Sequence, residues 1–407
     1  MSVILQSQPE AYGLAYNDNP FVFFSTAYTA TQRFKVVILP TGYPTVPALA
    51  TVRVWPRIGV TDGGVVQENK AFYDPSEILQ SQIAGTVAIP AVNHPTLVSA
   101  VNMHTGYNLF IQEEDKVGGV YVGGASLITD FKSVWNGVRD KIDWLDFDYT
   151  DYDMTTGAKW LTDAPDVRYI NSSESAFLSF LISTPSSLSV VLKGYDSTGL
   201  ITNGVIDLLP TEDYNRIAIG TYDLENSDAS DWSTGNPTTF LTGVSYYTVQ
   251  LSGIGLTKTV TFNVDAQCSK YSPIRLTWLN RLGGFDSFNF NMKSEDKEDI
   301  KRASYKQEPH RFTGTNWTYD KQSRGTTDYN IKTQSKLTIN TGYLTDAESV
   351  WMEDFASSPV IFQEVGNELI AMSGKAKRIA TQTSLNDKLK QYTFELDYAL
   401  SNDRQRG

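Results

Sequence analysis

The chain has 407 residues and a single cysteine, Cys268. One thiol excludes any intrachain disulfide, so a disulfide-framed secreted module is ruled out and a reducing compartment is the expected place of synthesis. Histidine is nearly as scarce. His94, His104 and His310 fall in no metal-ligand spacing and read as ordinary surface or turn residues. Charge is sparse as well: 20% of residues are Asp, Glu, Lys or Arg, with a balance of -12. That balance lacks the Lys/Arg excess a phosphate-binding surface needs, so nucleic acid is not an expected partner. No stretch approaches the roughly 20 apolar residues of a spanning helix, and the first residues lack the basic region and apolar core of a signal peptide. The expectation is synthesis in a cytosol without engagement of a membrane. The Asn-x-Ser/Thr matches at Asn171 and Asn316 are accordingly read as chance.

Chemistry-bearing motifs are also missing. Gly253-Ile-Gly255 follows a strand pattern, but Lys258 stands where a dinucleotide fingerprint has its third glycine. Gly374-Lys375 lacks the upstream glycine and following hydroxyl of a phosphate loop, and no G-x-S-x-G elbow occurs. Cys268 has only Lys270 nearby to lower its pKa, which favours a small core or boundary residue over a nucleophile. Glu113 and Glu114 are adjacent and, if extended, point to opposite faces, a poor pair for acid–base work. The tract Asp143 to Asp153 is dense enough in carboxylates to hold Ca²⁺, yet it fits no EF-hand register. Period-two alternation of Asp146 and Asp148 with Phe147 and Tyr149 predicts a half-buried strand there. Catalytic, cofactor-binding and metal sites are therefore not expected.

Aromatic residues are abundant, with 22 Tyr, 19 Phe and 8 Trp. Flat amphipathic rings at low charge suit pleated sheets and packed interfaces. Short β-branched and aromatic runs divided by Gly, Pro and Asn turns recur throughout: Phe21-Val-Phe-Phe, Arg33 to Leu39, Asn108 to Gln112, Ala176 to Ile182, Tyr246 to Leu251 and Thr259 to Val264. This pattern predicts a mainly β protein of antiparallel β-sandwiches with a few short helices. Asp74-Pro-Ser-Glu predicts a brief helix with Pro at its first position. Thr345-Asp-Ala-Glu348 is a capping box, predicting a helix that ends by Ser358, before Pro359. The mixed-charge run Lys293 to Arg302 reads as a solvated connector or helix face, with Glu298 set for an i,i+4 pair with Arg302. Glu225 to Pro237 reads as a long exposed loop. Length alone implies two or three domains, and the pattern places them at residues 1–170, 171–270 and 271–407.

Two stretches carry a resemblance. Trp278-Leu-Asn280-Arg-Leu-Gly283-Gly284-Phe285-Asp286 resembles a W-L-N-x-L-G-G-[FW]-D segment of virion structural proteins from tailed phages and prophages of Bacteroidota. Trp351-Met-Glu-Asp-Phe-Ala-Ser-Ser-Pro359, followed by Leu385 to Ala399, is similar to the C-terminal part of the same proteins, and Phe72 to Leu79 shares the likeness. The resemblance implies a non-enzymatic particle component at the tail, neck or baseplate, made in the host bacterial cytoplasm and residing in the virion. Its implied partners are other virion proteins and further copies of itself in a ring or collar. Trp278, Asn280, Gly283, Gly284, Phe285, Asp286, Trp351 and Pro359 are the expected interface or structural anchors. Gly283-Gly284 reads as a positive-φ turn or close backbone approach, with Trp278, Phe285, Phe288 and Phe290 around it. The alternative is a receptor- or carbohydrate-binding tail module in which Trp160, Trp232 or Trp317 stacks on sugar rings.

Overall fold

A computed structural model describes the chain except residues 1, 27–28, 30, 57–59, 63–64, 68–69, 84–96, 100–102, 158, 185–186, 253–257, 265–269, 309, 320, 323, 367, 376–389 and 404–407. Strand occupies 51% of it and helix 12%, so the class is mainly β, with several antiparallel sheets. The chain divides into two compact units: residues Met1–Asp265 with Asn280–Asp286, and Ala266–Leu279 with Ser287–Gly407.

The first unit contains two apolar cores, each between a six-stranded and a three-stranded sheet. In the first core, Arg33–Pro40 and His104–Val117 pair at the centre of a sheet ordered Tyr12–Leu14, Lys132–Trp135, His104–Val117, Arg33–Pro40, Ala50–Val54. Val120–Ile128 is its sixth strand and pairs with His104–Val117. Alternate residues Phe34, Val36 and Ile38, and Tyr107, Leu109 and Ile111, face inward to meet Phe21 and Phe23 of the three-stranded sheet. Phe23 meets Phe34 edge to face at 5.0 Å, the geometry that ring quadrupoles favour. The second core lies beneath the sheet Val167–Ile170, Val260–Val264, Tyr246–Ser252, Leu188–Asp196, Gly199–Leu208, Trp232–Thr234. Its facing sheet is Phe177–Leu181, Tyr214–Ala218 and Leu97–Ser99.

The short helix Ser76–Ile83 begins where expected, with Asp74 Oδ1 accepting from Ser76 N at 2.9 Å. Two expectations fail locally. Asp143 to Asp153 is no strand: Lys141–Leu145 is helical and Tyr149–Asp151 is a 3₁₀ turn. Period-two spacing was outweighed by capping, because Asp148 accepts from Thr150 N at 2.8 Å and Asp153 from Thr155 N at 3.0 Å. Glu225 to Pro237 is not one loop either. It ends the helix Thr221–Asn226 and supplies a 3₁₀ turn, the strand Trp232–Thr234 and the start of the helix Pro237–Phe240. Asp228 caps the 3₁₀ turn and Asn236 the last helix, each from its side chain.

The second unit is built on an eight-stranded sheet. Its order is Phe285–Phe290, Ile274–Leu279, Ile361–Val365, Glu368–Gly374, Thr393–Tyr398, Thr326–Asn340, Glu295–Lys306, with Asn402–Asp403 beside Thr326–Asn340. The helix Asp346–Ser357 carries the expected reciprocal capping box: Glu348 N donates to Thr345 Oγ1 and Thr345 N donates to Glu348 Oε2. Its Trp351, Met352 and Phe355 are buried. The run Lys293 to Arg302 is neither connector nor helix, because Glu295–Lys306 is a strand paired with Thr326–Asn340 from Glu295↔Thr338 to Lys306↔Thr326. Local i,i+4 spacing could not reveal a partner strand distant in sequence, and cross-strand pairing decided the outcome.

Side chains of the Asp346–Ser357 helix should rank in cost by burial and capping. Denaturant unfolding of the second unit is expected to lose about 3–5 kcal/mol in F355A, about 1 kcal/mol in T345A, and less than ~0.5 kcal/mol in the exposed V350A.

Candidate functional site

Seven residues, Asn280 to Asp286, form a tight segment of the first unit, buried except for the half-buried Arg281. Asn280 organises it by using both ends of its carboxamide: Oδ1 accepts from Leu282 N at 3.0 Å and Gly284 N at 2.8 Å, while Nδ2 donates to Leu161 O and Asp286 Oδ2. The backbone closes the same turn through Asn280 N to Gly284 O at 2.8 Å. Gly283 sits at φ +83°, and a Cβ there would stand 2.0 Å from Asn136 O. A Cβ on Gly284 would stand 2.7 Å from Leu161 O. The two glycines thus answer different demands, a left-handed turn with close approach at the first and close approach alone at the second.

The carbonyls of this segment are satisfied from surrounding strands. Trp135 Nε1 donates to Leu282 O at 3.0 Å, and the Tyr214 hydroxyl to Gly283 O at 2.6 Å. Burial pushes the Tyr214 phenol up to about 12, so it stays a donor at neutral pH. Asp286 is 1% exposed. Thr162 Oγ1 lies 2.8 Å from each of its oxygens, and Arg168 Nη1 lies 3.6 Å from Oδ1. Burial draws the Arg168 guanidinium below its ordinary value, opposed by the charge of Asp286. The Arg216 guanidinium lies 5.5 Å from the Phe285 ring centroid and 5.5 Å from that of Phe177, a cation enclosed by aromatic carbon. Each donor and acceptor named is turned to the fold itself, so these contacts position the segment.

In the second unit, Trp278 and Trp351 meet at 5.1 Å between ring centroids, and Phe355 lies 5.2 Å from Trp278. Phe290 and Phe394 continue the cluster. Pro359, just after the helix, is exposed. In the same sheet Arg275 and Glu364 form a buried ion pair at 3.0 Å, with Arg275 Nη1 also donating to Asn289.

The acidic and histidine positions are spread apart. Asp148 caps a turn, Asp151 pairs with Lys159, and Asp153 is buried and accepts from Ser183 N at 3.1 Å. Glu113 is fully buried, accepting from Ser25 Oγ and Gln32 Nε2 at 2.7 Å each, while Glu114 pairs with Arg33 at 2.7 Å. His104 lies 3.6 Å from Glu212, and His310 is exposed on its strand. Among the described residues no three His, Cys, Asp or Glu side chains gather as metal ligands. No described helix is long and apolar enough to cross a membrane. His94, Cys268, Gly253 to Gly255 and Leu385 to Leu389 lie outside the described residues.

Two of the three tryptophans considered as sugar platforms are buried. Trp160 donates its indole N–H to Lys258 O at 2.9 Å and Trp232 to Ser227 Oγ at 2.8 Å. Trp317 differs. It lies on the two-stranded sheet His310–Phe312 and Trp317–Tyr319, in register His310↔Tyr319 and Phe312↔Trp317. Period two puts His310, Phe312, Trp317 and Tyr319 on one face, and ring contacts agree: 4.5 Å for His310 with Tyr319 and 5.4 Å for Phe312 with Trp317. The turn between the strands has Gly314 at φ +91° and Thr313 N donating to Asn316 O. Phe312, Trp317 and Tyr319 are 57%, 65% and 71% exposed. This hairpin lies in sequence between the long strands Glu295–Lys306 and Thr326–Asn340, whose end from Arg302↔Ile331 to Lys306↔Thr326 pairs with no other described strand, so it follows a two-stranded arm. The sequence contains the signal, H-x-F then W-x-Y about a Gly-bearing turn, but only His310, as an ordinary surface or turn residue, and Trp317, as a sugar platform, were singled out.

No protein-family model and no curated protein matches the chain.

The Asn280–Asp286 segment should tolerate no side chain at Gly283. G283A is expected to cost the first unit more than about 2 kcal/mol, because left-handed strain and collision with Asn136 O act together. G243A is the comparison: Gly243 has φ +74° but only Ile201 Cδ1 at 3.8 Å, so it should cost about 1–2 kcal/mol. Equal losses in thermal unfolding would contradict this account.

Proposed function

We propose that the chain is a non-enzymatic structural subunit of a tailed-phage virion, assembling with copies of itself and other virion proteins into a ring or collar at the tail, neck or baseplate. The observation that carries this reading is the four-ring face of His310, Phe312, Trp317 and Tyr319 at the head of the arm. A hairpin of such short strands is marginal in water by itself. Rings held open on one face gain most when a neighbour covers them, and aromatic anchors of this kind dominate binding at protein interfaces. The buried Trp278–Trp351 cluster supports the reading differently, by stiffening the unit to which the arm belongs. Of the resemblance residues, Trp278, Asn280, Gly283, Gly284, Phe285, Asp286 and Trp351 are buried and hold the subunit's shape, while Pro359 is exposed.

Trp317 favours a second reading, a receptor- or carbohydrate-binding tail module, because an exposed indole beside Tyr319 and Phe312 also suits a sugar ring. Immunogold labelling and mass spectrometry of purified virions separate the two. The subunit reading expects the chain in multiple copies per particle, and F312A/W317A to fold normally yet lose incorporation. Particles lacking the chain, with the protein soluble in the infected cell, would defeat it. The binding-module reading expects normal incorporation of F312A/W317A with loss of host adsorption. Purified protein is expected to hydrolyse no polysaccharide, peptide or phosphodiester above background. Turnover abolished by changing Asp146, Asp148 or Glu113 would overturn the non-enzymatic assignment.

A further inference from the structure

Among the described residues, the strand Glu295–Lys306 is the last in its sheet, paired on one side with Thr326–Asn340. All of its residues but Ala303 are exposed, so both its faces and its outer edge meet solvent. An open edge of this length is a ready template for another strand. Charges along it limit which strand can fit, and their order is not random. Its first half reads Glu295-Asp296-Lys297-Glu298-Asp299 and its second Lys301-Arg302-Ala303-Ser304-Tyr305-Lys306, a mainly acidic block followed by a basic one about Ile300.

We propose that this edge pairs antiparallel with the same edge of a second copy of the chain, about a twofold axis at Ile300. In that register Ile300 faces Ile300 of the second copy, Glu298 faces Arg302, Asp299 faces Lys301 and Lys297 faces Ala303. The twofold repeats each pairing, so every charge from Glu298 to Arg302 meets its opposite and no like charges face each other between residues 297 and 303. Cross-strand pairs of opposite charge stabilise a sheet, and like charges directly opposite oppose it. Moving the axis by one residue sets Asp299 against Asp299 or Lys301 against Lys301. A parallel in-register pairing sets every charge against itself. The sequence therefore selects one orientation and one register, while its charges repel unrelated edges.

Intrachain partners of these side chains leave the pattern intact. Asp299 pairs with Lys336 and Arg302 with Asp328 within the chain. A guanidinium has about five donors and a carboxylate about four acceptor sites, so each can serve both partners. The ladder from Glu295 to Ala303 is regular, and its register shifts only after Ala303. The exposed Ile300 gains an apolar partner at the axis. An isologous contact of this kind closes on itself as a dimer or joins two rings back to back. It requires no particular position in a particle.

Site-specific cross-linking tests the register directly. Residues directly opposite in an antiparallel pair have Cα atoms about 4.5–5.5 Å apart, within disulfide reach. I300C in a C268S background is expected to give a disulfide-linked dimer under mild oxidation. E298C in the same background should not, because its own copy lies about four residues along the strand, roughly 13 Å away. Adding E298R/D299K to the chain, with I300C kept for read-out, should cut the cross-linking rate at least about tenfold. The full swap E298R/D299K/K301D/R302E should restore it, although it alters the same intrachain pairs. Circular dichroism confirms that each variant is folded. Equal cross-linking at positions 298 and 300, none at 300, or failure of the swap to recover what the half-reversal lost, would each overturn the proposal.

Discussion

The Asn280 carboxamide is the contact on which the first unit's Gly-Gly turn depends. A carboxamide offers two acceptor lone pairs and two donors in one plane, and Asn280 spends both ends at once: on Leu282 N and Gly284 N, and on Leu161 O and Asp286. Its donors and acceptors cannot be exchanged without leaving a buried polar atom unpaired, which costs more than the bond itself contributes. Gly283 and Gly284 follow from the same constraint, since the carbonyls of Asn136 and Leu161 stand where side chains would go.

Aromatic carbon is sorted by role along the chain. Trp278, Trp351, Phe355, Phe290 and Phe394 form one enclosed cluster, and Trp160, Trp232 and Tyr247 lie in the second core of the first unit. His310, Phe312, Trp317 and Tyr319 share an open face. Composition does not separate these groups. What separates them is the span of sheet behind each: broad sheets and a helix in the first cases, a short hairpin in the last.

Features written in local sequence were legible. The capping box at Thr345 and Glu348, the Asp74-Pro75 helix start and the alternating runs of the central strands all depend on neighbours within a few residues. The Gly-Gly turn was legible as a turn, but its reason lay in Asn136 and Leu161, far away in sequence. Asp143 to Asp153 misled because period-two spacing of Asp suits a strand face and successive Asx caps equally well. The strand Glu295–Lys306 was hidden because its charges face solvent on both sides and leave no apolar alternation to read. The exposed rings of the arm were hidden for the opposite reason. Alternating aromatics resemble core until burial is known.

The division of the chain also fixes an order of events during synthesis. The first unit's main body ends at Asp265, yet it is complete only with Asn280–Asp286. A nascent chain released from the ribosome as far as residue 270 therefore still lacks the acceptor carbonyls for Trp135 Nε1 and the Tyr214 hydroxyl, and the carboxylate facing Arg168. The next emerging residues, through Leu279, belong to the second unit and are made before the missing piece. Domain-by-domain folding during translation is thereby replaced by a delay, with the first unit waiting on a stretch made roughly 20 residues later. At roughly 5–20 residues per second that wait is a matter of seconds, long enough for a chaperone to act on the incomplete fold.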